Sequence, residues 1–209
     1  MRKMSPLSND DCRALLDLAR RAISTAVIEK QILDIPPYPA ALTSPAGAFV
    51  TLHREDGHLR GCVGQVEFPG PLAETVARVA ISAALHDSRF PEVQPDELDR
   101  LDIEISVLSV PEPILPEAIV IGFHGLLVVK GEKRGLLLPQ VAGQRNWSAQ
   151  QFLEETCAKA DLPRDAWRET FTRVLAFTAE VFSEAGFRSG DSVWNESEKD
   201  KTPHPSQKT

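Results

Sequence analysis

The residues best equipped for chemistry crowd into one stretch, His53-Arg54-Glu55-Asp56-Gly57-His58-Leu59-Arg60-Gly61-Cys62-Val63-Gly64. Cys62 supplies a thiol, whose thiolate is the reactive form that a neighbouring cation favours. Arg60, two residues away, carries a planar fork suited to a carboxylate or phosphate. The two are the candidate catalytic pair, with Cys62 as nucleophile or covalent carrier. The plainer alternatives are a small buried side chain for Cys62 and, for Arg60, an ion pair to Glu104 or Asp102 on a neighbouring strand.

The candidate ligand-binding set is wider. Arg89, in Asp87-Ser88-Arg89-Phe90, is placed to converge on the same anion, and His53 stands across the hairpin from Cys62. Gly61 and Gly64 let a ligand approach the backbone closely. Glu104 is a possible general base, with an ion pair as its alternative. His124 sits in Gly122-Phe123-His124-Gly125, a glycine-flanked position suited to a cleft, and Gln140 can read a ligand by hydrogen bonds beside Trp147. No metal site is assigned, because His53 and His58 flank a turn instead of standing at the spacing of zinc motifs. No cofactor is named either: neither G-x-G-x-x-G nor G-x-x-x-x-G-K-[ST] occurs.

These side chains need elements to position them. Gly47 to Glu55 reads as a strand, Asp56-Gly57 as a two-residue hairpin turn and His58 to Val66 as the return strand. That register pairs Glu55 with His58, His53 with Arg60 and Thr51 with Cys62. It sets all six on one polar face and leaves Val50, Leu52, Leu59 and Val63 on the other. Ser8 with Asp11 caps a first amphipathic helix to about Lys30, and Pro71 opens a second, small-residue-rich helix. Asp102 to Leu108 alternates as a half-buried strand, and Ile119-Val120-Ile121 reads as a further short strand. Gly125 to Val129 and Gly135 to Leu138 form a second hairpin with a charged tip. Ser148 with Gln151 caps a helix to about Ala160, and Arg173 to Val181 is a last strand. Hairpins with helices between them give an α+β class built on antiparallel sheet. Residues 188–209, where Val193 and Trp194 stand as the bulky apolar groups, are expected to be a disordered polar tail.

Composition sets the outer limits. The chain has 209 residues, 42% hydrophobic and 25% charged, the profile of a globular protein large enough to hold a core without disulfides. The net charge of −7 argues against nucleic-acid binding. No run approaches the length of a membrane span, and three scattered cysteines fit a reducing compartment, so a cytoplasmic location is expected.

Leu59-Arg60-Gly61-Cys62-Val63-Gly64 resembles the six-residue signature of the AMMECR-one family, named after a human chromosomal region. Gly47-Ala48-Phe49-Val50-Thr51-Leu52, Asp102-Ile103-Glu104-Ile105-Ser106-Val107-Leu108-Ser109 and Leu136-Leu137-Leu138-Pro139-Gln140-Val141-Ala142 resemble further family blocks in family order. Ser88 stands where the family usually has proline, and Phe123 where a basic residue is common. The resemblance implies an α+β domain over residues 1–187, of two unequal, intertwined lobes with the hexamer at or near the cleft between them. It also implies company: a Memo-like protein and a radical SAM enzyme, in the AmmeMemoRadiSam system. Two functions follow as expectations, an enzyme or enzyme component holding a small anionic ligand near the hexamer, or a noncatalytic adaptor for those partners.

Overall fold

Helix signals in the sequence are met by geometry. The computed structural model describes residues 6–66 and 70–189. In α1 (Asn9–Ser24), the Asp11 amide donates to Ser8 Oγ at 3.1 Å, and the Ser8 amide donates back to Asp11 Oδ2 at 3.1 Å. A π-helical turn, Thr25–Glu29, extends it, and Lys30 stops it in the left-handed region at φ 57°. After α2 (Ala40–Thr43) come the strands β1 (Gly47–Arg54) and β2 (Leu59–Gln65), then α3 (Leu72–Leu85), which begins behind Pro71. β3 (Leu101–Leu108) follows a 3-10 turn, Pro95–Arg100.

A second group of elements comprises β4 (Glu112–Pro113), β5 (Gly125–Lys130), β6 (Lys133–Leu137), α4 (Pro139–Gln144), α5 (Ala149–Lys159) and β7 (Arg173–Phe177). The chain then returns in β8 (Ala179–Ser183) and α6 (Glu184–Ser189). The described residues divide into two compact units, 6–112 with 177–189, and 113–176.

The first unit is an antiparallel sheet of order β2-β1-β3-β8 with α1 and α3 on one face. Alternation decides which face is covered: Ala48, Val50, Leu52, Ile103, Ile105 and Val107 are buried against Leu15, Leu18, Ala19, Val76, Val79 and Ala80. Small residues on α3 permit a close approach. A Cβ on Gly61 would lie 2.1 Å from the Ala83 carbonyl oxygen, so this glycine admits the helix backbone where a ligand was expected. Gly64 lies beneath the Phe49 ring on the opposite face, where a Cβ would meet Cδ1 at 2.1 Å. The second unit is an antiparallel sheet of order β4-β7-β5-β6, with Leu126, Ala142, Phe152, Leu153 and Ala176 as its buried centre. The class is therefore α+β. Among the described residues no helix is long and apolar enough to cross a membrane.

Four readings of the sequence need correction. The first hairpin turns through three residues instead of two: Gly57 donates to the Arg54 carbonyl at 2.8 Å and Arg54 to the His58 carbonyl at 2.9 Å, with Gly57 at φ 79°. The last strand is two strands in two sheets. Thr178 leaves the ladder between them, donating to Ser109 Oγ at 2.9 Å and accepting from the Ser109 amide at 2.9 Å. Ile119-Val120-Ile121 forms no strand, because a 3-10 turn at Pro116–Ala118 precedes it and the His124 side chain accepts from the Val120 amide. Arg188 and Ser189, assigned to the tail, belong to α6, and Arg188 donates to Asp102 at 2.7 Å; the rest of that tail lies outside the described residues.

The Gly61 contact gives a stability test. Gly61→Ala should lower stability by about 1–3 kcal/mol, read as a shift of the urea midpoint, because α3 must move off the sheet. Gly57→Ala, with no atom within 4 Å of the added Cβ, should cost about 1–2 kcal/mol through its positive φ.

Candidate functional site

The turn correction propagates into the motif strand. Thr51 still opposes Cys62 and Leu52 opposes Gly61, but His53 opposes Leu59, so Arg60 is the extra residue of a β-bulge. The bulge exchanges two side chains. Leu59, expected in the core, is 38% exposed on the His53 face, and Arg60, expected beside Cys62, is 1% exposed on the helix side. There its Nε and Nη2 donate to Glu97 Oε1 and Oε2 at 2.8 and 2.9 Å, and Nη1 donates to the Pro91 carbonyl at 2.9 Å. A guanidinium so buried must be paired, and Glu97, not Glu104 or Asp102, pairs it. The same contact holds the Glu97 carboxyl down to about 2, against the opposing pull of burial. Arg60 thus fixes the hairpin to the 91–97 connection and is turned away from the face that bears Cys62.

That face carries one continuous polar row. Cys62 opposes Thr51, Thr51 opposes Glu104 on β3, and Glu104 opposes Ser183 on β8. All four side chains are half-buried. The Thr51 hydroxyl donates to Cys62 Sγ at 3.4 Å. β2 is an edge strand, and the Cys62 amide and carbonyl point outward from it. The amide donates to Asp87 Oδ2 at 2.8 Å, and the carbonyl accepts from Arg89 Nη2 at 3.1 Å. Asp87 and Arg89 are themselves joined, Nε to Oδ1 at 2.9 Å and Nη2 to Oδ2 at 2.6 Å. The Arg89 hydrogen bonds hold the Asp87 carboxyl well below the usual carboxylate range, and Asp87 above all, with a further contribution from the Cys62 side chain, favours the charged form of Arg89. The cation beside Cys62 is therefore Arg89. Its Nη1 makes no hydrogen bond to a described residue.

Glu104 is half-buried without a hydrogen-bond donor among the described residues. Burial pushes its carboxyl up, with His53 favouring the ionised form and Asp102 opposing it. His53, diagonal to Glu104, has Nδ1 3.4 Å from the Gly57 carbonyl, while His58 and Glu55 are exposed at the hairpin end. Cys12 and Cys157 are fully buried, and burial pushes the Cys12 thiol up to about 12 and the Cys157 thiol upward as well. Among the described residues no three His, Cys, Asp or Glu side chains gather in a way that would hold a metal ion.

His124 and Gln140 belong to the second unit. His124 is buried with Nδ1 accepting the Val120 amide at 3.0 Å, and burial pushes its pKa below the ordinary 6.5. It shapes the Gly122 turn, where φ is 82°. Gln140 is half-buried on α4, and Trp147 packs against the buried centre of its unit. The structure thus gathers Cys62, Arg89, His53 and Glu104 on the first sheet, and separates Arg60 and Gly61 from them onto the helix side. Thr51, Asp87 and Ser183 were missed as site residues. The Asp87-x-Arg89 spacing was a legible signal for one of them, since an aspartate holds an arginine two residues on; Ser183 gave none.

A four-stranded sheet with a thiol latched on its edge strand, joined in one chain to a second antiparallel sheet, defines an α+β class of protein. The AMMECR1 family model matches residues 16–182, and the chain belongs to that family. A protein of Methanothermobacter thermautotrophicus is 44% identical over 192 residues, covering 88% of this chain and 100% of the relative. Protein TK0174 of Thermococcus kodakarensis is 45% identical over 184 residues, covering 81% of this chain and 88% of the relative. The crystal structure of the uncharacterized protein PH0010 from Pyrococcus horikoshii superposes with a TM-score of 0.76 at 42% identity, covering 82% of this chain and 90% of that one.

Two pH effects follow. Glu97 titrates lower in the folded chain than its ordinary 4.5, so its contribution is present above about 4.5 and lost as pH falls toward about 2. Glu97→Gln should destabilise the protein by about 3–5 kcal/mol at neutral pH and flatten the acid limb of a stability-against-pH curve. His124 also titrates lower in the folded chain, so its contribution is present above 6.5 and falls as pH drops below it. His124→Asn, which keeps an acceptor for Val120, should remove that slope in urea midpoints measured across the same range.

Proposed function

We propose that this AMMECR1 protein binds a small anionic molecule at Cys62 and serves as an enzyme, or as a component of one, with Cys62 as nucleophile or covalent carrier. One observation carries the reading: the Cys62 thiol accepts from the Thr51 hydroxyl, and the Arg89 guanidinium meets the carbonyl of the same residue, whose amide is held by Asp87. A hydroxyl donor and a cation stabilise developing negative charge on sulfur. The uncommitted Nη1 of Arg89 offers a donor to a carboxylate or phosphate arriving at the thiol. The role once open to Arg60 passes to Arg89, since Arg60 is held by Glu97. His53 and Glu104 supply proton-carrying groups on the same face.

The test compares a charged and a neutral thiol reagent. Native protein is treated with iodoacetate or iodoacetamide, and each cysteine is quantified by mass spectrometry. Cys62 should react while Cys12 and Cys157 stay protected. The iodoacetate-to-iodoacetamide rate ratio at Cys62 should exceed that of a small free thiol by about two- to fivefold, the factor a partly exposed ion pair supplies. Arg89→Gln should abolish the excess and Arg89→Lys should keep part of it. Protection of Cys62 until unfolding, or an excess that survives Arg89→Gln, would overturn the reading.

A further inference from the structure

The row that carries Cys62 has a second charged station. Glu104 lies two strands from Cys62 with Thr51 between them, and each residue directly opposes the next. Neighbouring strands are about 4.8 Å apart, so the two backbones stand about 10 Å from each other along the row. Arg89 meets Cys62 from the outer edge of β2, on the side away from β1. Guanidinium, thiol and carboxyl therefore follow one another across the sheet, with a hydroxyl filling the interval between thiol and carboxyl.

The carboxyl is the unusual member. The other acidic groups nearby are compensated: Asp87 by Arg89, Glu97 by Arg60, and Asp102 by Arg188 at 2.7 Å. Glu104 alone of these four has no cation in contact among the described residues, although it is more deeply set than a surface carboxylate. His53 reaches it only as a diagonal neighbour, and Asp102 on its own strand opposes its ionisation. A half-buried carboxyl lacking a partner is costly when charged, and an incoming ammonium would relieve that cost. On the neighbouring strands Thr51, which donates to Cys62 Sγ, and Ser183, which accepts from the Gly186 amide at 3.0 Å, each keep an acceptor position for an amine without competing for its charge.

We infer that the ligand of the Cys62 site carries two opposite charges, an anionic group met by Arg89 and a protonated amine met by Glu104, with the thiol-facing atom between them. The ligand class is an extended amino acid or amine-bearing acid, long enough to lie across two strands. Phosphosugars and simple dicarboxylates, which bring no cation to Glu104, are disfavoured. The inference rests on the reading of Cys62 as the reactive group and adds the second recognition point.

The experiment uses maleimides as probes, because each adds through its double bond to the thiolate and takes up a proton from water, whatever side arm it carries. Rates at Cys62 are compared for N-(2-aminoethyl)maleimide and N-ethylmaleimide, each normalised to a small free thiol. The amine reagent should react about two- to fivefold faster at Cys62. Glu104→Gln should bring the ratio to the free-thiol value, with continued protection of Cys12 and Cys157 showing that the variant is folded. A ratio equal to that of the free thiol in the unaltered protein, or an amine preference that survives Glu104→Gln, would overturn the inference. If the iodoacetate preference stands and the amine preference is absent, this inference alone falls. If Cys62 resists all four reagents, the reading beneath it falls too.

Discussion

Arg60 carries its guanidinium into the helix side of the first sheet, where Glu97 holds it by two hydrogen bonds and the Pro91 carbonyl by a third. The pair holds the one residue at which the motif strand departs from its regular pairing with β1. A one-residue bulge turns Arg60 inward, and the residues after it regain the register in which Gly61 faces α3 and Cys62 faces the opposite side. Removing Glu97 would leave the buried Arg60 charge uncompensated, and the strand's easiest relief would be to slip by one residue, which would send Cys62 to the wrong face. The ion pair is thus a register lock as much as a source of stability.

Seen residue by residue, the hexamer is mostly architecture. Leu59 is displaced outward, Arg60 is locked to Glu97, Gly61 makes room for the Ala83 carbonyl, Val63 packs with the core and Gly64 lies under Phe49. What remains for chemistry is Cys62, and the surroundings treat it differently from its neighbours. Its amide and carbonyl are claimed by Asp87 and Arg89, which do for this edge position what a further strand would do and so blunt strand-to-strand association there. Fixed from the edge, the thiol can address only the polar row on its own face.

Much of this was legible in the sequence, and the failures have local causes. The α+β class, the capped helices, both hairpins and the Thr51–Cys62 pairing follow from alternation and capping signals. The placement of Arg60 was not readable, because Asp56-Gly57 suits either a two-residue turn or the end of a three-residue one, and a difference of one residue reverses a face. Gly61 announced a close approach but not by what. The split at Thr178 was hidden because Arg173 to Val181 reads as one continuous strand-forming run, without glycine or proline, through a residue that bonds Ser109 instead of a strand neighbour. Glu104 was recognisable as a polar-face residue, yet only the register across three strands aligned it with Cys62.

The same Thr178 crossing shapes how the molecule must assemble. β3 is made early, but its outer neighbour β8 belongs to the chain beyond residue 178, after the whole of 113–176 has been synthesised. At about 5–20 residues per second the ribosome leaves that edge open for several seconds. The later sheet waits as well, because β7, which stands between β4 and β5, is made only just before β8. The nascent protein thus passes through a stage in which the strand bearing Glu104 offers bare hydrogen-bonding groups to any extended segment nearby. Its need for chaperone shelter should therefore peak before release rather than after it.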